Sequence, residues 1–283
     1  MNFHPRLIAC IFLIATLSSF CAAQAPVAPF PPLDQWKSAV ISGNSASLQA
    51  LYSTNPPAQV TTPAGTSSSS ADVGFWTGLK ARRLKLNVVQ SDSPQSGMQQ
   101  IVFQAEVCAG PGGHTLYLTG VQLWQMEGGQ WRIVGAKRTD PTKLQQPVST
   151  SKVIYEPGVD AHAEIKHALE LAAKGHKRVL VVFGANWCYD CHVLDLAFKR
   201  PDIAAVVQHN FELVHVDVGE GDKNQDLMQQ YDVPMKRGIP AAAVLDSNGK
   251  LLYSQKGGEF EKARALAPED VLQFLNKWKP VSR

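Results

Sequence analysis

Apolar positions along this chain change their period midway. In the first third they recur at helical spacing. Leu33, Trp36 and Val40 form one set, and Leu48, Leu51 and Tyr52 form a second that Ser45 can cap. A third set holds Val73, Phe75, Trp76 and Leu79, after a serine run at 67–70 that reads as a loop. From Leu84 the period becomes two. Leu84, Leu86 and Val88 alternate with Lys85 and Asn87, and Ile101, Phe103, Ala105 and Val107 repeat the pattern. Residues 115–124 and 131–136 follow as strands, with Gly128 and Gly129 as the hairpin turn between them. Helices followed by an antiparallel meander predict an α+β domain over 33–140, its sheet curled over the helices.

Residues 24–32 are Pro-rich and read as a linker. So does 141–157, where Pro141, Pro147 and Pro157 frame a Gln/Ser/Thr-rich middle. Beyond it, strands and helices alternate. Asp160 can cap a helix with Ile165, Ala168, Leu169 and Ala172 on one face, ending at Gly175. Residues 179–183 are continuously apolar, the mark of a strand buried on both faces. Leu194, Ala197 and Phe198 lie on a helix that Pro201 closes or kinks. A strand at 211–218 and a short helix around Leu227 and Tyr231 come next. Strands at 241–245 and 251–255 flank the hairpin turn Asn248–Gly249, and Pro268 opens a last helix with Val271, Leu272, Leu275 and Trp278. This predicts an α/β domain over 158–283.

Composition narrows the class. At 45% hydrophobic and 18% charged residues the chain can build packed cores, and 283 residues suit two modest domains. A net charge of +3, with no basic cluster interleaved with aromatics, argues against nucleic acid as a partner. The N-terminus reads as an export signal over 1–23: His4 and Arg6, the apolar run 7–17, then Ser18, Ser19, Ala22 and Ala23. The run falls short of the ~20 residues a membrane span needs. Lipidation at Cys21, where Phe20 spoils the lipobox, and an uncleaved N-terminal anchor are the alternatives. The expected location is therefore outside the cytoplasm, in a periplasm.

Export changes what the cysteines mean. Of five, Cys10 and Cys21 leave with the signal, and Cys108, Cys188 and Cys191 stay. One close pair and one leftover suit redox chemistry better than a stapling framework. Cys108 reads as a half-buried free thiol or a bridge between chains. The pair lies in Gly184-Ala185-Asn186-Trp187-Cys188-Tyr189-Asp190-Cys191-His192, after the buried strand and at the start of a helix. A thiol there faces unpaired backbone N–H groups and the positive end of the helix dipole, both of which favour the nucleophilic thiolate. The second thiol stands one turn on, within reach of a mixed disulfide. Cys188 is the expected attacking thiol and Cys191 the resolving one.

On these residues the second half resembles the thioredoxin family. The strand–Trp-Cys-x-x-Cys–helix unit matches, as do Val216-Asp217-Val218 and Gly238-Ile239-Pro240. The Trp-Cys-x-Asp-Cys variant and the longer approach over 232–238 look like bacterial exported members. The resemblance implies a cis Pro240 beside the cysteines, active-site support from Trp187, Tyr189 and Asp190, and substrate contact at Trp187 and through the Ile239 backbone. It also implies protein thiols and disulfides as substrates, a redox partner protein, and no metal or organic cofactor. Two departures matter. The family's buried acid falls at Val182, so that proton relay is absent or supplied elsewhere. Tyr189-Asp190 replaces the frequent Gly-Pro, and a carboxylate beside a thiolate raises its pKa. Lys236 and Arg237 either oppose this or belong to a solvated loop.

The first half resembles the nuclear-transport-factor-2-like superfamily in its element order and its closing strand Trp131-Arg132-Ile133-Val134. That resemblance implies a cone serving as a pocket, a catalytic cavity or a homodimer surface. Lone His114 reads as a loop residue, and Trp124 and Trp131 as core. Rival readings of the motif are a c-type haem at C-x-x-C-H, with Met228 or Met235 as axial ligand, a zinc site, and a purely structural disulfide. The leading function is an extracytoplasmic thiol–disulfide oxidoreductase. The alternative is a binding protein whose N-terminal cavity matters most.

Overall fold

A computed structural model describes residues 29–109, 115–234 and 236–281. The expected export signal over 1–23, with Cys10 and Cys21, as well as His114 and Met235, lies outside the described residues.

The first half is three helices against one sheet, as its periodicity predicts. Helices α1 (Pro31–Ser42), α2 (Ser45–Gln49) and α3 (Ser69–Gly78) pack on strands β1 (Gln59–Thr62), β2 (Gly65–Ser67), β3 (Ala81–Asp92), β4 (Met98–Ala109), β5 (Thr115–Glu127) and β6 (Gln130–Arg138). The sheet order is β2-β1-β6-β5-β4-β3, antiparallel except where β1 runs parallel to β6. Ile101, Phe103, Ala105 and Val107 all point into one core, because alternate residues of a strand share a face. Trp36 meets Trp76 edge-to-face at 4.7 Å, and Phe103 fills the space over Gly120.

Little space remains beside the buried Asp72. The void lined by Asp72, Trp76, Phe103, Gln122 and Arg138 measures about 10 Å³, at the limit of a single water. The buried carboxylate there is already satisfied: Arg138 Nε and the Tyr52 hydroxyl each donate to Asp72 at 2.8 Å. Asp72 therefore serves the core.

Several local expectations are corrected. Pro31 and Pro32 open α1 instead of extending the linker, since proline suits a first helical turn. Asn44, not Ser45, caps α2 by accepting from Ser47 N–H. The serine run is no loop: Ser68 caps α3 by accepting from Ala71 N–H, and Ser69 and Ser70 form its first turn. Strands β1 and β2 are short and mostly polar, so no period announced them. Trp124 is buried, whereas Trp131 is only partly covered, against Phe30.

The second half runs α4 (Ala161–Gly175), β7 (Arg178–Gly184), α5 (Tyr189–Phe198), α6 (Pro201–Asn210), β8 (Phe211–Asp217), α7 (Gln225–Gln230), β9 (Ala241–Leu245), β10 (Leu251–Ser254) and α8 (Pro268–Trp278). A 3-10 turn, Ala263–Ala265, precedes α8. The sheet order is β10-β9-β7-β8, with β8 parallel to β7 and the others antiparallel. Val179, Val181 and Phe183 of β7 pack with α4 and α7, while Leu180 and Val182 pack with α5, α6 and α8. Burial on both faces explains the unbroken apolar run. Asp160 caps α4 through its carboxylate. Pro201 ends α5 and also starts α6.

The stretch 141–157 is not a free linker. Tyr117 and Thr142 exchange backbone hydrogen bonds, and Gln104 Nε2 donates to the Gln146 carbonyl at 2.7 Å. Leu144 is fully buried among Leu180, Val182 and Val193, and Tyr155 is buried beside the cysteines. The segment is a strap pinned to both halves.

Candidate active site

Strand β7 ends at Gly184 and four residues carry the chain to α5. Cys188 is the N-cap of that helix and Cys191 lies in its first turn. The two are joined by a disulfide, with Cα atoms 5.3 Å apart. Cys191 N–H donates to Cys188 Sγ at 3.1 Å, so an orphan donor of the helix end is spent on that sulfur. Ile239–Pro240 is a cis peptide, and Cys188 Sγ lies 3.6 Å from the Ile239 carbonyl oxygen. Trp187, Cys188, Tyr189, Ile239 and Arg264 line part of an open groove of about 410 Å³. Trp187 is more than half exposed, and its indole N–H donates to the Gly219 carbonyl at 3.0 Å. Trp187, Tyr189, Asp190, Ile239 and Pro240 thus lie around the Cys188–Cys191 pair.

Asp190 behaves differently from the expectation. It is buried, and its carboxylate accepts from the Arg264 backbone N–H at 2.8 Å and from Arg264 Nε at 3.0 Å. Asp190 in turn holds the guanidinium more firmly protonated. The same guanidinium lies 4.8 Å from the Tyr189 ring centre. The cation opposing Asp190 is therefore Arg264. Lys236 is exposed, and Arg237 lines the groove while donating to the Gly257 carbonyl.

His192 is buried in α5 with Nε2 2.7 Å from the Asn186 carbonyl oxygen, a placement that does not suit a haem ligand. Met228 lines the groove, but the buried core of α4 and β7 holds it. Among the described residues no three His, Cys, Asp or Glu side chains gather as a metal-binding group. Cys108 is a free, partly exposed thiol on β4.

Behind the sulfur pair lies a set that the sequence reading missed. The Asn186 side chain accepts from the N–H groups of Ile154 and Tyr155, each at 2.9 Å, and donates to the Tyr155 carbonyl at 2.7 Å. Three hydrogen bonds thus fasten the strap to the active-site loop. The Tyr155 ring meets His215 edge-on at 5.3 Å. The only signal for this was an apolar trio, Val153-Ile154-Tyr155, inside a polar stretch. Nothing in the sequence singled out Arg264.

Burial holds the His215 imidazole below the usual histidine range, assisted by Lys199 and opposed by Asp195. A histidine kept neutral in the fold binds its proton more readily once unfolded. Stability is therefore full above the unfolded value of about 6.5 and falls as pH drops through it, at up to about 1.4 kcal/mol per pH unit. Urea midpoints between pH 7.5 and 5.5 are expected to fall in the wild type and to stay flatter in His215→Gln.

Comparison with known proteins agrees with this geometry. A thioredoxin-like family model matches residues 160–247. Thioredoxin of Buchnera aphidicola subsp. Baizongia pistaciae is 32% identical over 100 residues, covering 35% of this chain and 77% of that protein. The chain belongs to the thioredoxin-like family. Thiol:disulfide interchange protein DsbD 2 of Pseudomonas aeruginosa is 27% identical over 151 residues, 49% of this chain, but the match spans only 24% of DsbD 2. A solved disulphide isomerase from Xylella fastidiosa Temecula1 is 40% identical, covering 45% of this chain and 97% of that one, with a TM-score of 0.43. On the first half, a solved NTF-2 like protein of unknown function from Shewanella oneidensis MR-1 is 11% identical over 39% of this chain and 94% of its own, with a TM-score of 0.34. The thioredoxin-like half accounts for the buried parallel strand, the cysteine pair at the helix start and the cis-proline facing it.

Proposed function

We propose that this protein is an exported thiol–disulfide oxidoreductase that exchanges the Cys188–Cys191 disulfide with thiols of partner proteins. The observation that carries this is the position of Cys188. It caps a helix, accepts the Cys191 N–H and faces an open groove beside cis Ile239–Pro240. In the reducing direction, the Cys188 thiolate attacks one sulfur of a partner disulfide and expels the other as a thiolate. Cys191 then loses its proton, its sulfur bonds to Cys188 Sγ, and the partner leaves as a dithiol. The oxidising direction is the reverse. Relatives named for thioredoxin and for thiol:disulfide interchange support this chemistry, and the pattern over 1–23 supports export to a periplasm.

The test is a redox titration of the mature protein in glutathione and dithiothreitol buffers, with free thiols alkylated and counted by mass. Cys188 and Cys191 are expected to titrate as one two-electron couple. A potential near about −270 mV assigns a reductase, and one near about −120 mV an oxidant. A pair that stays oxidised or stays reduced across that range would overturn the proposal.

A further inference from the structure

The family's buried acid is replaced here by Val182, which packs into the apolar core of α5, α6 and α8 and carries no proton. Another polar group lies near Cys191 by another route. Gly184 is the last residue of β7, and a Cβ added there would collide with the Tyr155 hydroxyl and stand 2.9 Å from Cys191 Sγ. The hydroxyl and the sulfur therefore lie within about 5 Å of each other, on either side of the space a Gly184 side chain would occupy, with no hydrogen bond between them while Cys191 is tied in the disulfide. Tyr155, Cys188 and Cys191 share one buried cluster, and Asn186 fixes the Tyr155 backbone with three hydrogen bonds. This tyrosine is covered, tied at its backbone and placed with its hydroxyl near Cys191 Sγ, where a freed thiolate could accept from it.

We infer that Tyr155, delivered by the strap between the two halves, donates its hydroxyl hydrogen bond to the Cys191 thiolate and so promotes resolution of the mixed disulfide. This inference rests on the redox reading above and adds a residue to that site. The step balances without a further reagent. Cys191 S–H gives up its proton, its sulfur bonds to Cys188 Sγ, the Cys188–partner bond breaks, and the partner sulfur takes up the proton and leaves as a thiol. Tyr155 neither gains nor loses a proton overall. Burial, with the carboxylates of Asp195 and Asp217, holds its phenol well above the usual tyrosine range, so it remains an O–H donor. A charge-assisted hydrogen bond from such a donor favours the thiolate over the thiol. The other groups around this buried end are His192 and Asp195 of α5, Lys199 at its C-cap, His215 of β8 and Lys152 of the strap. The geometry also makes the strap a physical link from the first half to the resolving cysteine.

The test uses the full-length reduced protein labelled with 13C at cysteine Cβ, titrated by NMR so that Cys191 is read directly. Tyr155→Phe keeps the ring and removes only the hydroxyl. It is expected to raise the Cys191 thiolate pKa by about one unit, a tenfold change in the thiolate fraction. Cys108 should not move. Resolution of a Cys188–glutathione mixed disulfide should slow about tenfold at pH 7, with the Cys188 attack rate unchanged. Asn186→Ala, which unties Tyr155, should shift Cys191 in the same direction. An unchanged Cys191 titration in Tyr155→Phe would overturn the inference. So would a shift in Asn186→Ala alone, because the hydroxyl would then be irrelevant. This readout needs no turnover with a partner, so its failure is distinct from a failure of the redox titration.

Discussion

Cys191→Ser is expected to arrest the protein as a covalent adduct with its partner, while Cys188→Ser forms none. Cys188 is the sulfur that lines the groove and carries the helix-end hydrogen bond, so it alone is placed to attack. Cys191 sits one turn further in, 2% exposed and behind Cys188. Without its sulfur the mixed disulfide at Cys188 has no internal thiol to release it, and its lifetime should lengthen by about three orders of magnitude or more. Non-reducing gels of Cys191→Ser incubated with a disulfide-bearing protein should show a band that dithiothreitol removes. Such a band from Cys188→Ser instead would reverse the two roles. Either variant exchanging disulfides at the wild-type rate would remove the pair from the chemistry altogether.

Charge at the neck of the active-site helix should move the Cys188 thiolate in opposite directions in two variants. Asp190→Asn leaves the Arg264 cation beside the thiolate without its counter-ion and should lower the Cys188 pKa by about one unit. Arg264→Met leaves a buried carboxylate with only the backbone N–H at position 264 and should raise that pKa by about one unit. The double variant should return close to wild type, because the pair is removed together. Arg264→Met alone should also cost about 1–2 kcal/mol of stability, a figure kept small because the arginine side chain is 56% exposed. Thiolate absorbance against pH reads the first effect, and urea unfolding the second. Shifts of the same sign in the two single variants would show that the ion pair does not tune the thiolate.

The wild-type carboxylate was legible in the sequence and its partner was not. Asp190 stands between the two cysteines, where any reading of the motif meets it. Arg264 arrives from a 3-10 turn 74 positions away, and neither spacing nor composition marks it. The same contrast holds for the strap. Pro141, Pro147, Pro157 and the polar residues between them have the composition of a linker, and that reading is right about the absence of helix and strand there. It fails on packing, because Leu144 and Tyr155 are single apolar residues with no period to announce a buried face. How tightly the interior of the first half packs was likewise out of reach. Element order gives a curled sheet over helices, but only the packing of Trp36, Trp76 and Phe103 decides whether a space remains between them.

What the sequence by itself determined is what local physics enforces over a few residues. The period of apolar positions separates the meander from the alternating strands and helices. An unbroken apolar run makes β7 a strand buried on both faces, and Asp160 and the proline at 268 start helices. The cysteine pair at a helix start follows from the same short-range rules, so the paired sulfurs could be named without a structure. Tertiary structure alone decided what surrounds them: the arginine that neutralises Asp190, the tyrosine behind Cys191, and the asparagine that ties that tyrosine down. These contacts join segments distant in the chain, and they exist only because burial of the two cores closes the loops between them.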